Sequence, residues 1–181
     1  RLALIGHSEG ALIAPLVAAK EPTLRAMVLL AGIARPGLGT LQYQLRNNIM
    51  HDTSLTQPKR DAAIAHIPTL IDSLAAADPW MKFFLYYNPA ATDSTVKTPV
   101  LILTGANDQQ ASPEQLPATE AAFKAAGNTD VTARLLPNLN HLFVYDTNGF
   151  PGGYTKLPTP VHMQASAVGM VVDWLAQRVG R

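Results

Sequence analysis

The stretch Leu2-Ala3-Leu4-Ile5-Gly6-His7-Ser8-Glu9-Gly10-Ala11-Leu12 decides how the rest of the chain is read. A short apolar run, Leu2–Ile5, has the look of a buried strand, and a helical pattern over Ala11–Lys20 follows after a tight turn. Gly6-His7-Ser8-Glu9-Gly10 lies between them and fits G-x-S-x-G in the strand-turn-helix context which that pattern requires. A serine on so sharp a turn sits in a strained backbone conformation, and the residues two before and two after it are expected to be small. Its hydroxyl then projects above the sheet at the positive end of the following helix. The backbone N–H of Glu9 points to the same place, where it would serve an oxyanion. The plainer alternative is a glycine turn with a helix-capping serine; the flanking elements favour a nucleophile.

Working outward, short apolar runs alternate with helical patterns, which predicts βαβ units on a mainly parallel sheet, an α/β fold. Pro15 should kink the first helix. Arg25–Ala31 reads as a strand buried on both faces, and Gly32–Gly39 as a loop. Leu41–Met50 and Lys59–Ala77 read as helices, the second broken at Pro68, and the aromatic stretch Asp78–Tyr87 continues without strand signal. Residues 36–95 are therefore expected to be a helical cap inserted into a single domain that spans residues 1–181. Pro99–Thr104 is the next strand. A helix capped by Ser112, with Pro113 at its first position, should end at Gly127. Val131–Leu135 is the last strand, Asn148–Pro160 a loop, and Met163–Val179 a closing helix that buries Val168, Val171, Val172 and Leu175.

A serine needs a base, and the base an orienting acid. Asp108 follows one expected strand and His141 another, and functional groups in parallel α/β sheets gather at the carboxyl ends of strands. The order Ser8, Asp108, His141 is that of nucleophile, acid and base in one class of hydrolase. Each residue alone could be ordinary, Asp108 a loop cap and His141 a loop residue; their joint placement makes the candidate triad. His7 reads as structural. His51, His66 and His162 share no metal-ligand spacing, so no metal is expected. Asp146 follows His141, and Asp130 precedes a strand at the wrong end of the sheet. Trp80 and Phe84 are candidates for an acyl pocket or for the core of the cap.

Composition narrows the rest. The 181 residues are 48% hydrophobic and 15% charged, as in a globular domain, with a net charge of +1. Neither nucleic acid nor an anionic membrane surface is an expected partner. No apolar run approaches the roughly 20 residues of a membrane span. The absence of cysteine excludes disulfides and a cysteine nucleophile, but leaves the compartment open.

GHSEGALIAPLVAA (6–19), VKTPVLILTGANDQQ (96–110) and LPNLNHLF (136–143) together resemble the α/β-hydrolase superfamily, and within it the bacterial esterase and serine-aminopeptidase-like branch. The resemblance implies catalytic roles for Ser8, Asp108 and His141, an oxyanion N–H from Glu9, a small-molecule ester substrate and no cofactor. A peptidase or thioesterase would use the same triad. The superfamily also carries strands before the nucleophile and a second oxyanion donor on a loop between them, which this sequence lacks. Leu2–Ile5 is then expected to expose an apolar edge that pairs with an amino-terminal segment or a second copy. An inactive fragment or interaction module is the remaining alternative.

Overall fold

The computed structural model describes residues 2–157 and 159–180. Four parallel strands, β1 (Leu2–His7), β2 (Leu24–Leu30), β3 (Val100–Gly105) and β4 (Val131–Leu136), lie side by side in sequence order. The apolar runs over β2 and β3 are buried throughout, apart from Arg25, as expected of central strands covered on both faces. β1 and β4 are the edges of this sheet and are more exposed, with Ile5 at 57% and Leu135 at 50%.

One face of the sheet is covered by α1 (Glu9–Ala18) and α6 (Leu116–Ala125). Ala11, Ala14 and Ala18 of the first and Phe123 of the second pack with Met27, Leu29, Val100 and Ile102. Small residues along α1 let that helix approach the strands closely. α7 (Ala165–Val179) packs on β2 and β1. Its buried stripe is Ala167, Val171 and Trp174, whereas Val168 and Val172, expected inside, are exposed. Both stripes have helical spacing; Trp174 has the larger surface to bury, and it turns the helix toward its own side.

Several boundaries depart from expectation for identifiable reasons. α1 continues through Pro15 and the 21-residue α3 (Gln57–Ala77) through Pro68. A proline removes a single rung of the ladder, and the remaining rungs of α3 carry the helix past it. α2 (Gly37–His51) starts within the expected loop. α4 (Pro79–Tyr86) is capped by Asp78, whose carboxylate accepts from Trp80 N at 2.8 Å. A short helix, α5 (Pro89–Asp93), was not foreseen, and a 3₁₀ turn over Pro151–Lys156 lies in the loop before α7.

The chain forms two compact units, one of Arg1–Ala34 with Asn88–Arg181 and one of Arg35–Tyr87. The first holds the sheet with α1, α5, α6 and α7. The second is the helical bundle α2–α4, with Ile67, Ile71 and Leu85 at its centre. No helix among the described residues is long and apolar enough to cross a membrane.

Candidate active site

The turn from β1 into α1 places Ser8 at φ 55°, ψ −115°, a region that a non-glycine residue enters only under constraint. Its N–H donates to Leu30 O at 2.9 Å, which fixes the turn to the end of β2. The Ser8 side chain makes no capping hydrogen bond to α1, so the capping-serine alternative lacks its bond. Gly6 is required, because a Cβ there would overlap the Gly10 carbonyl. Gly10 itself has open space around it, and the expected need for a small residue there is not met. Glu9 is the first residue of α1, so its N–H belongs to the first-turn donors that have no partner within the helix.

Asp108 lies just beyond β3 and is wholly buried. One carboxylate oxygen accepts from the backbone N–H groups of Gln110 at 2.7 Å and Ala111 at 2.8 Å. The other accepts from His141 Nδ1 at 2.8 Å. With the carboxylate held by its own loop, the imidazole proton is fixed on Nδ1. Nε2 keeps its lone pair, as a general base requires.

The loop after β4 that carries His141 folds back over the end of β3. Ala106 N donates to Leu136 O at 2.8 Å and Asn107 N to Leu139 O at 2.9 Å. A Cβ on Gly105 would overlap the Leu139 carbonyl, so the two loops touch backbone to backbone. Asn140, wholly buried, holds the tip. Its side-chain oxygen accepts from Leu142 N at 2.9 Å and Val144 N at 3.2 Å, and its amide donates to Asp146 at 3.1 Å. Burial alone would raise the Asp146 carboxyl, but the N–H groups of Asn148 and Gly149 and the Asn140 amide outweigh it, and its pKa is lowered. Asp146 thus braces the loop, while Asp108 faces the histidine. Asp130, before β4, is engaged by Arg178 in a two-pronged ion pair, at 2.6 and 2.9 Å.

Sequence reasoning missed some neighbours. His7 donates from Nε2 to the His141 carbonyl at 2.8 Å. Tyr154 lies by Gln110, at 3.3 Å from its amide. Burial raises the Tyr154 phenol, and the charges of Asp108 and Asp146 raise it further, so it stays a neutral hydroxyl. Adjacency to Ser8 and to His141 could have flagged His7 and Asn140; nothing in the sequence marks Tyr154. An apolar cavity of about 330 Å³ opens beside His7, bordered also by Leu30, Leu142, Phe143, Val161 and Met163.

Ser8, Asp108 and His141 thus all follow carboxyl ends of parallel strands, and the last two are joined directly. Ser8 makes no side-chain hydrogen bond among the described residues. Trp80 and Phe84 lie on the other unit: Phe84 packs against its core, and Trp80 is partly exposed beside Phe83, with ring centroids 5.2 Å apart. No group of three or more His, Cys, Asp or Glu able to hold a metal occurs among the described residues.

Several solved structures share this architecture. Rv0554 from Mycobacterium tuberculosis superposes with a TM-score of 0.56 at 17% identity, over 97% of this chain and 65% of that one. The Pyrococcus furiosus esterase Pf2001 gives 0.51 at 17% identity, over 86% and 50%. The chain therefore spans less than two thirds of the length of either. At such identities the likeness is one of fold. No curated protein sequence matches the chain. The family model for serine aminopeptidase, S33, matches residues 1–148, and the chain belongs to that family of α/β-hydrolases.

Proposed function

We propose that the chain carries the catalytic centre of a hydrolase that cleaves carboxylic esters through an acyl-enzyme. The buried Asp108–His141 pair, at the same carboxyl end of the parallel strands as the strained Ser8 turn, is the observation that supports this most strongly. Ser8 Oγ attacks the ester carbonyl as His141 Nε2 takes its proton. The oxyanion gains the Glu9 N–H and the positive end of α1. Asp108 holds the imidazole tautomer and stabilises the cation that forms. His141 then protonates the departing alcohol, and afterwards takes a proton from the water that attacks the acyl carbonyl and frees Ser8. The apolar cavity beside His7 is of a size that suits a small hydrocarbon group.

The same atoms would cleave an aminoacyl amide, and membership of the serine aminopeptidase family favours that second possibility. In that reading Glu9, next to the nucleophile in the sequence, would supply the carboxylate that meets a substrate amine. Rates on paired ester and aminoacyl-amide substrates separate the two.

Ser8→Ala is expected to lower kcat roughly a million-fold, the scale known for loss of the nucleophile in another serine hydrolase. A fluorophosphonate should label Ser8 and fail to label the variant. Retained turnover in Ser8→Ala would place the nucleophile elsewhere.

A further inference from the structure

Ser8 and His141 belong to strands at opposite edges of a four-stranded sheet, in the order β1-β2-β3-β4. Strands lie about 4.8 Å apart, so the ends of β1 and β4 are separated by roughly 14 Å. The sheet by itself cannot bring a base to within hydrogen-bonding reach of a nucleophile across that span. The His141 loop must lean back over β3 and β2, and something must stop it at the correct point. Its contacts with β3 and the Asp108 loop place it over the middle of the sheet. Among the described residues, the one hydrogen bond that joins the loop to the turn after β1 is His7 Nε2 to His141 O, at 2.8 Å.

We infer that His7 is a positioning residue, latching the nucleophile turn to the backbone of the base; this rests on the Ser8–His141–Asp108 assignment proposed above. A carbonyl only accepts, so Nε2 of His7 carries the proton and is committed to this bond. His7 is covalently next to Ser8, and its bond falls on the very residue whose ring must reach Ser8. The imidazole of His141 is thereby held from two directions, by Asp108 at Nδ1 and by His7 at its own carbonyl. The two rings lie 4.9 Å apart at 50°, and Phe143 meets the His7 ring edge-on at 6.3 Å. Those contacts hold the His7 ring in the orientation that the hydrogen bond uses. A fixed approach of base to nucleophile is what the reaction requires, because a misplacement of about 1 Å can cost on the order of a hundred-fold in rate.

The test compares three variants of the full chain, read by turnover of a short-chain acyl ester and by the rate of fluorophosphonate labelling. His7→Phe keeps a ring of similar shape and removes the donor. His7→Gln puts an amide N–H near the place of Nε2, and His7→Asn carries one that stops short. His7→Phe and His7→Asn should lower kcat and labelling about ten- to a hundred-fold, with KM within about twofold. Melting temperature should stay within about 2 °C of the parent, and His7→Gln should recover most of the rate. Wild-type kcat in His7→Phe, or in His7→Asn should the first not fold, overturns the latch. So does a loss that His7→Gln fails to restore, or one that tracks a fall in melting temperature. Ser8→Ala run alongside keeps the two ideas apart. Activity surviving in it refutes the triad, whereas an essential Ser8 with an indifferent His7 refutes the latch alone.

Discussion

The strand unit and the helical unit of this chain bury their apolar residues in different ways. In the first, β2 and β3 are sealed on both faces, and Met27, Val28, Leu29, Val100, Leu101, Ile102 and Leu103 have almost no exposure. In the second, Ile67, Ile71 and Leu85 are the buried apolar side chains, ringed by partly buried neighbours. The difference teaches where precision is kept. Every candidate catalytic group sits on a loop anchored to the sealed strands, and sites held on rigid elements keep the tighter geometry. The helical unit, with fewer sealed contacts, has the character of a region that opens locally at lower cost.

The strongest way to break that comparison is chemical. Asp108→Asn should lower kcat by about ten-thousand-fold, as the corresponding change does in another serine hydrolase, because the imidazole loses the partner that fixes its tautomer. Steady-state kinetics would show this, with urea unfolding little changed. A loss of similar size from a substitution in α3 would mean that the helical unit shares the chemistry.

Packing sharpens the comparison further. Phe123 of α6 is fully buried in the core on the covered face of the sheet, so Phe123→Ala should cost about 3–5 kcal/mol in urea unfolding. Ile71→Ala should fall near the lower end of its range, about 2 kcal/mol, since the smaller helical core can close around the gap. The reverse order would overturn the contrast.

Deep burial also works against the strand unit at one place. Asp93 of α5 is 2% exposed, and one of its carboxylate oxygens has no hydrogen-bond partner. Burial raises its pKa from 3.8 to about 7. Below pH 4 both folded and unfolded states are protonated and the group costs nothing. Between pH 4 and pH 7 the unfolded chain ionises first, so stability falls as pH rises. Above pH 7 the full penalty is present, on the order of 4 kcal/mol as an upper value. Asp93→Asn should flatten that slope in unfolding curves taken across the window. An unchanged slope would show that Asp93 is already solvated.

Legibility in the sequence followed that division for the strands and not for the rest. Short apolar runs placed β1 to β4 to within a residue or two, and the ends of those strands pointed to Ser8, Asp108 and His141 as candidates. In the helical unit, proline misled, because Pro68 stops a helix only if its neighbours do not outweigh the missing rung. The stripe on α7 was misjudged since two helical stripes compete and only packing decides between them. His7, Asn140 and Tyr154 were not legible as parts of the site. Their roles come from bonds across the sheet edge, and spacing along a chain does not encode which loop a side chain will meet.

The two glycines of the turn around Ser8 are unequal, and that inequality bears on how such chains are recognised elsewhere. Gly6 is fixed by contact with a backbone, whereas a methyl group at Gly10 meets nothing within 4 Å. Alanine at Gly10, inside α1, is compatible with the helix and should stabilise it by up to about 1 kcal/mol. A relative could therefore drift to alanine there and lose nothing in its turn. A pattern search that insists on glycine on both sides of the serine would pass such a relative by, although its serine sits in the same elbow.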